Sequence, residues 1–291
     1  MAKLSVGRIL INEATAFCGA CRQPEPDLVM NDPDSVRAYI HAGRESGVMA
    51  PTYLFHTAHV CELIRPGDVV LDLACGPATQ LVQVARIRPD ASFIGVDLSV
   101  TMLDRAREYI QSSQVDNVTL QRADITALKP ITDGRVSVVM SSMSLHHLPT
   151  LDLLRKTMEQ VQRVLTNDGA VYLGDFGRLR SARTMELFAH QYDDRQPPEF
   201  TTDYVNSLRA AFSVAEFGQA MQPITGRAQL YRMFPIPFLV AIKSPRHGTP
   251  PADAAEKIRR IRSSFNADQE RDLCAMLRFF RFGGLKTPLL A

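Results

Sequence analysis

The sequence predicts an α/β fold: a doubly wound, mostly parallel seven-stranded sheet with an antiparallel terminal hairpin, a helical N-terminal cap and a C-terminal helical extension. Three observations predict it. Between residues 69 and 174, five short strand-like runs alternate with amphipathic helical stretches, the pattern of parallel strands joined by crossover helices. The first run, Val69-Val70-Leu71-Asp72-Leu73, is apolar almost throughout, as a strand covered on both faces requires. Past Asp175 the alternation stops. Two later strand-like pieces, Gln229–Phe234 and Phe238–Lys243, stand too close together for a crossover and should pair antiparallel.

The elements follow in order. Residues 1–30 show little periodicity. Helical spacing begins at Asp34–Ala42, where Val36, Tyr39 and Ile40 share a side, and resumes from Pro51, suited to a first turn, to about Ile64. Arg65-Pro66-Gly67-Asp68 is a turn before strand one. A helix over Thr79–Arg88 leads to strand two, Ser92–Asp97, and a helix over Ser99–Gln111 leads to strand three, Val118–Gln121. Strand four is Val136–Met140, and a helix bearing Leu153, Leu154, Met158, Val161 and Leu165 follows it. Asn167-Asp168-Gly169 turns into strand five, Ala170–Gly174. Residues 181–222 read helical, most clearly over Thr201–Met221, and two helices over 252–263 and 267–280 follow a linker, Pro245–Pro251. The expected organisation is a helical cap over 1–60, a cofactor-binding domain over 61–245 with 181–222 inserted above the site, and an extension over 246–291.

Composition narrows the function. With 33 basic and 31 acidic residues the net charge is +2, too balanced for a protein that grips a phosphate backbone. Five scattered cysteines (Cys18, Cys21, Cys61, Cys75, Cys274) form no disulfide framework, and Cys18-Gly19-Ala20-Cys21 supplies at most half a zinc site. The longest apolar stretch, Phe234–Ile242, is too short to span a membrane. A cytoplasmic protein with neither nucleic acid nor membrane as partner is expected.

In such a sheet, ligands sit at the carboxyl ends of the strands. The first of these ends is Asp72-Leu73-Ala74-Cys75-Gly76-Pro77-Ala78, where small residues let a ligand approach the backbone. Asp97 ends strand two, 21 residues after Gly76, where a carboxylate can accept both hydroxyl hydrogens of a ribose. A dinucleotide fingerprint is not met: its glycine places hold Ala74, Gly76 and Thr79 or Gln80, and Pro77 removes an amide donor. Asp72 would repel a pyrophosphate but suits a ligand carrying an amine and a sulfonium, namely S-adenosylmethionine. The extra methyls of Ala74 and Ala78 cost little if φ is negative, though they narrow the pocket, and read as a tolerable variation.

Val69–Ala78 resembles the first motif of class I S-adenosylmethionine-dependent methyltransferases, hydrophobic-D-x-G-x-G-x-G, with alanine at two of its glycine places. Asp97 resembles that family's ribose-binding acid, and Ala123-Asp124-Ile125 is similar to its adenine-flanking motif. Ser141–Leu148, containing Leu145-His146-His147-Leu148, resembles the loop after strand four in the ubiquinone-biosynthesis-like small-molecule branch. Arg163-Val164-Leu165 and the terminal hairpin also match, so the resemblance covers about residues 60–245. It implies S-adenosyl-L-methionine as cofactor, bound by Asp72, Ala74, Gly76, Asp97, Leu98, Met102, Asp124, Ile125 and Ser141. Asp124 has an alternative role as the N-cap of a helix over 125–129.

His146 and His147 are the catalytic candidates, either as a general base or as packed wall of the cofactor site. Ser141-Ser142-Met143-Ser144 lacks the prolines of amino-methylating enzymes of nucleic acids and the acid of metal-dependent catechol methyltransferases. A small organic acceptor and no metal are therefore expected. The helices over 34–64 and 181–222 would roof that acceptor with Tyr39, Tyr53, His56, Arg178 and Tyr192, hinging at Gly43 and Gly47. Two other classes stay open: a nucleotide-dependent oxidoreductase on a related sheet, and an inactive methyltransferase-like subunit that binds a partner. A homodimer is compatible with each.

Overall fold

Strand β1 (Val69–Leu73) lies inside a seven-stranded sheet with β2 (Ser92–Asp97), β3 (Val118–Arg122), β4 (Val136–Ser142), β5 (Leu165–Phe176), β6 (Gln229–Arg232) and β7 (Leu239–Lys243). The order across the sheet is β3-β2-β1-β4-β5-β7-β6. Strands β1 to β5 pair parallel with their neighbours, and β7 runs antiparallel to both β5 and β6. The structure is a computed structural model that describes residues 6–16, 19–27, 29–30, 32–44, 47–245, 248 and 250–290. The chain reverses its direction of travel across the sheet between β1 and β4, so a crevice opens at their carboxyl ends.

Alternation along β1 divides the core. Val70 points into a cluster with Leu54, Phe55, Phe93 and Tyr172; Leu71 and Leu73 point into the opposite cluster with Val139, Val171 and Met158. Each fully buried side chain of this size contributes about 1.5–3 kcal/mol.

The helices are α1 (Val6–Thr15), α2 (Pro33–Gly43), α3 (Ala50–Cys61), α4 (Thr79–Ile87), α5 (Val100–Ser112) and α6 (Leu151–Val164), then α7 (Ala182–Ala189), α8 (Pro198–Ala210), α9 (Val214–Ala220), α10 (Ala254–Ser263) and α11 (Ala267–Phe282). Local chemistry fixes their starts. Ser99 caps α5 through the Met102 amide, and Thr150 caps α6 through the Leu153 amide. Asn266 and Gln269 form a capping box on α11. No helix among the described residues is long and apolar enough to cross a membrane.

Several expectations are corrected. Helix α1 lies where little periodicity was visible. Its Glu13 is buried and accepts from the Arg180 and Ser181 amides at 2.8 and 3.1 Å, placing a carboxylate at the start of α7. The single helix expected over Thr201–Met221 is two, because Ser213 and Glu216 build a capping box that starts α9 anew. The turn expected at Asn167-Asp168-Gly169 is absorbed into β5 as an irregularity: pairing with β4 jumps from Val136–Leu165 to Val138–Ala170.

The largest correction concerns the roof. Every residue of α3 is at least half-buried, most are fully buried, and Phe55 stacks on Phe280 of α11 at 4.9 Å. Helix α3 is thus mainly part of the layer packed on the sheet; of this stretch, Tyr39 of α2, Val48, Met49 and Thr52 at the start of α3 border the large cavity. Nor are the two glycines hinges in this arrangement. A Cβ on Gly43 would meet the Tyr53 ring at 2.9 Å, and one on Gly47 would collide with the Ala42 carbonyl. Both permit close packing.

Candidate active site

Loop Ala74–Ala78 joins β1 to α4 under tension. Ala74 has φ +53°, Gly76 +51° and Ala78 +59°. The left-handed region costs a non-glycine residue of order 1–3 kcal/mol, so the condition under which the extra methyls cost little is met at neither alanine. Tertiary bonds hold the loop there. The Cys75 amide donates to the Val96 carbonyl at 2.9 Å, and the Gly76 amide donates to Asp97 Oδ2 at 2.8 Å. The other oxygen, Asp97 Oδ1, accepts from the Ser99 amide at 2.8 Å. Each carboxylate oxygen keeps a further lone pair, so Asp97 can hold the loop and still accept from a diol.

A cavity of about 180 Å³ opens here, lined by Ala74, Gly76, Asp97, Leu98, Met102 and others. Asp124 and Ile125 complete its far wall. Asp124 caps no helix: its Oδ1 accepts from the amide and hydroxyl of Thr126 at 2.8 and 2.7 Å, closing a turn.

Two of the expected cofactor residues lie just behind the cavity lining rather than in it. Ser141 is buried at 1% exposure, donates to the Leu73 carbonyl at 2.9 Å and contacts the Ser144 hydroxyl at 2.6 Å; it ties the ends of β1 and β4 together, and Ser144 is the serine on the cavity wall. Asp72 lies beneath the loop, 4% exposed, with no hydrogen bond or ion pair among the described residues. Burial first, and the charge of Asp97 second, push its carboxyl well above the ordinary range. Such a group gains most from a cation placed beside it.

A second cavity of about 750 Å³ adjoins the first. The two share Met30, Tyr39, Met143 and His147. The walls of the large one are mainly aromatic and methionine side chains, drawn from α1, α2, α8, α11 and the segment before β7.

Of the expected lining residues, Tyr39 and Tyr192 face this cavity. Tyr53, His56 and Arg178 do not. Tyr53 is buried behind Tyr39, with their hydroxyls 3.0 Å apart. His56 is fully buried between α3 and the sheet; its Nδ1 lies 2.7 Å from the Tyr172 hydroxyl, and burial lowers its pKa to about 4. Arg178 is paired with Glu216 at 2.9 Å.

The histidines divide the junction. His146 lines the large cavity and His147 lines both. His146 Nδ1 donates to Asp175 Oδ1 at 2.6 Å, and the Asp175 Oδ2 accepts from the His146 amide at 3.0 Å. Burial alone would depress the His146 pKa. The charge and hydrogen bond of Asp175, with Glu25 behind them, outweigh it and hold the ring above its ordinary 6.5. Burial would likewise raise Asp175, but His146 outweighs it and keeps the acid ionised. His147 is lowered, by burial first and by His146 second, and is neutral at pH 7.

Glu25 Oε1 lies 3.7 Å from both His146 Nε2 and His147 Nδ1, and accepts from the Ser207 hydroxyl at 2.7 Å. Glu25, His146 and His147 thus offer three potential metal-ligand atoms within 4.8 Å of one another. Arg22 fixes this corner: it donates to the carbonyls of His146, Leu148, Pro149 and Ala210 at 2.5–3.1 Å and lies over the Phe212 ring. Of the Cys18–Cys21 pair, Cys21 is a free, exposed thiol and Cys18 lies outside the described residues.

Sequence reasoning missed Asp175, Glu25, Arg22 and Asp203. Asp175 had a usable signal, since it stands one residue before the end of β5, much as Asp97 ends β2. The others sit in a segment without periodicity or on a helix read only as apolar.

The strand order, the loop at the end of β1 and the acid at the end of β2 define a class I S-adenosylmethionine-dependent methyltransferase. The chain belongs to the methyltransferase-domain family, whose model matches residues 64–222, and the methyl donor is S-adenosylmethionine. This overturns the oxidoreductase reading. The 27-O-demethylrifamycin SV methyltransferase of Amycolatopsis mediterranei is 31% identical over 129 residues, covering 44% of this chain and 46% of that one. The demethylmenaquinone methyltransferase of Symbiobacterium thermophilum is 33% identical over 107 residues, covering 36% and 41%. The chain therefore spans less than half the length of these two curated relatives. The crystal structure of a S-adenosylmethionine-dependent methyltransferase from Aquifex aeolicus superposes with a TM-score of 0.51 at 15% identity, covering 74% of this chain and 98% of that one. That likeness is one of fold.

Proposed function

We propose that this chain transfers the methyl group of S-adenosylmethionine to a nucleophilic atom of a bulky, mainly apolar small molecule seated in the large cavity. One observation carries the reading: the cavity at the end of β1 adjoins the large cavity, the two sharing Met30, Tyr39, Met143 and His147 in their walls. A methyl group projecting from the first would meet an acceptor in the second without crossing bulk water.

Methyl transfer is an in-line displacement. When bound, S-adenosylmethionine would supply an electrophilic methyl carbon, the acceptor's electron pair forming the new bond as the carbon–sulfur pair leaves with sulfur. The protein aligns, dries and handles the proton. Asp97 takes the ribose hydroxyls, Gly76 and Ala74 let the donor approach the backbone, and Asp72 takes the donor's ammonium, regaining the charge partner it lacks within the chain. His146, oriented through Nδ1 by Asp175, receives the acceptor's proton at Nε2. His147, neutral and at the junction, presents a ring to the methyl's path. The relatives named for rifamycin and menaquinone precursors support a small-molecule acceptor. Neither a nucleic acid nor a membrane is part of this proposal, and the cytoplasm is its compartment.

The test is transfer of labelled methyl from S-adenosylmethionine to a metabolite extract, with mass identification of the product. A labelled small molecule is expected. Label found only on macromolecules, or none despite tight S-adenosylhomocysteine binding, would overturn the reading in favour of a macromolecular acceptor or an inactive partner-binding subunit.

A further inference from the structure

One wall of the large cavity is built for a positive charge. Helix α8 turns Phe200, Asp203, Tyr204 and Ser207 toward the cavity, a single stripe at helical spacing. Asp203 is part-buried, and its Oδ2 is shielded from solvent with no hydrogen-bond partner among the described residues. Glu25 faces the same space, held by Ser207. Aromatic rings stand beside them: Tyr204 stacks on Phe176 at 5.5 Å and lies 6.0 Å from Phe200.

Nothing cationic among the described lining residues is available to these acids except His146. Arg195 and Arg271, the two lining arginines, both pair with Asp268 at the far end, where Asp272 accepts from Tyr192. His146 is bonded to Asp175 through Nδ1, and its Nε2 stands 3.7 Å from Glu25 Oε1, so it partners Glu25 in part and leaves Asp203 without a cation. The groups acting on Asp203 are themselves acidic: Glu25, Asp32 and Glu199, with the Ser35 hydroxyl as the one stabilising contact. Burial first, and these charges next, push Asp203 up to about 6. Two half-satisfied carboxyls flanked by ring faces are the chemistry that recognises an ammonium, by charge and by cation–π contact.

We infer that the acceptor is a bulky apolar amine, bound as its ammonium between Asp203 and Glu25 against Phe176, Phe200 and Tyr204. This rests on the reading of the large cavity as the acceptor site. A protonated amine gives Asp203 Oδ2 the donor it lacks and cancels the Glu25–Asp203 repulsion. A neutral acceptor of equal size would leave both costs in place.

The test uses the full chain saturated with S-adenosylhomocysteine and three probes of one shape: phenanthrene carrying an aminomethyl, a hydroxymethyl or a carboxylate group. Calorimetry should show the amine bound about ten-fold or more tighter than the alcohol, with the carboxylate weakest. Asp203→Asn should bring the amine down to the affinity of the alcohol while leaving S-adenosylhomocysteine affinity unchanged, which also certifies the fold. Glu25→Gln should reduce the amine's advantage in the same direction. Equal binding of amine and alcohol, preference for the carboxylate, or an amine preference that survives both substitutions overturns the inference. If S-adenosylhomocysteine binds and an extract yields a methylated neutral compound, this inference fails while the proposed function stands. If the labelled product is a macromolecule, or there is none, both fail.

Discussion

The donor and acceptor cavities are built by opposite means. The donor cavity is small, about 180 Å³, and its key contacts come from backbone turns and two carboxylates at the ends of consecutive strands. The acceptor cavity, about 750 Å³, is walled by side chains from α1, α2, α8 and α11, distant in sequence and arranged around the sheet's open mouth. The contrast teaches where each specificity resides. A fixed ligand can be gripped by local geometry that a short motif encodes, whereas a variable ligand is shaped by whichever helices are folded over the mouth. Substitutions at one end should therefore leave binding at the other intact, and four of them test that separation.

The largest effect is expected from Gly76→Val. With φ at +51° and a would-be Cβ directed toward the Tyr39 ring, a β-branched side chain strains the loop and intrudes on the ligand. S-adenosylhomocysteine binding should be undetectable by calorimetry while the far-ultraviolet circular dichroism stays native and the acceptor probes still bind.

Next is Asp175→Asn. It should lower turnover about 100-fold or more, as loss of a positioned proton acceptor does, without changing donor affinity. The pH profile separates positioning from mere structure. In the parent, turnover should rise with pH through a value above 6.5, because His146 is held protonated by Asp175 and must be neutral to act. In the variant, burial prevails and the rise should move to lower pH. Stability obeys the same linkage. The raised His146 stabilises fully below 6.5 and loses this as pH climbs through its folded value. The lowered Asp175 stabilises above 3.8 and loses this as pH falls. The pair thus helps most between those two values, and the variant's unfolding midpoint should lose that hump.

Asp97→Ala comes third. Removing a charged acceptor should weaken S-adenosylhomocysteine by about 1.5–3 kcal/mol, roughly ten- to hundred-fold in Kd. An unchanged Kd would remove Asp97 from the donor site.

The smallest effect is expected from Ala74→Gly. Relief of a left-handed alanine, worth about 1–2 kcal/mol, is partly offset by the extra freedom glycine brings to the unfolded chain, about 0.5–1 kcal/mol. A gain of about 0.5 kcal/mol should appear as a higher urea midpoint. A loss would mean that the methyl's packing matters more than its strain.

The same contrast governs what could be read from the sequence. Strand β2 was legible to the residue, and the donor loop with Asp97 was legible because its parts are adjacent or one crossover apart. The left-handed φ of Ala74 and Ala78 was not, since local propensity favours negative φ and only the Val96 and Asp97 bonds impose the other choice. The acceptor wall was hidden for a different reason. Glu25 lies in a stretch with no period, and its meaning comes from Ser207 and the histidines, 182 and about 120 residues away. Tyr53 and His56 misled because they lie on a helix that reads as amphipathic but is buried on all sides.

Arg22 gives the molecule an order of assembly. The four carbonyls it bridges lie 124 to 188 residues further along the chain. While the polypeptide is being made, three of these carbonyls emerge with the loop after β4 and the fourth, Ala210, only at the end of α8, so the set is complete only when β1 to β5 can already have paired. The crevice at the end of β1 is thus drawn from residues made before α8 and α11 close the chamber beside it, and that chamber is bounded by both ends of the chain.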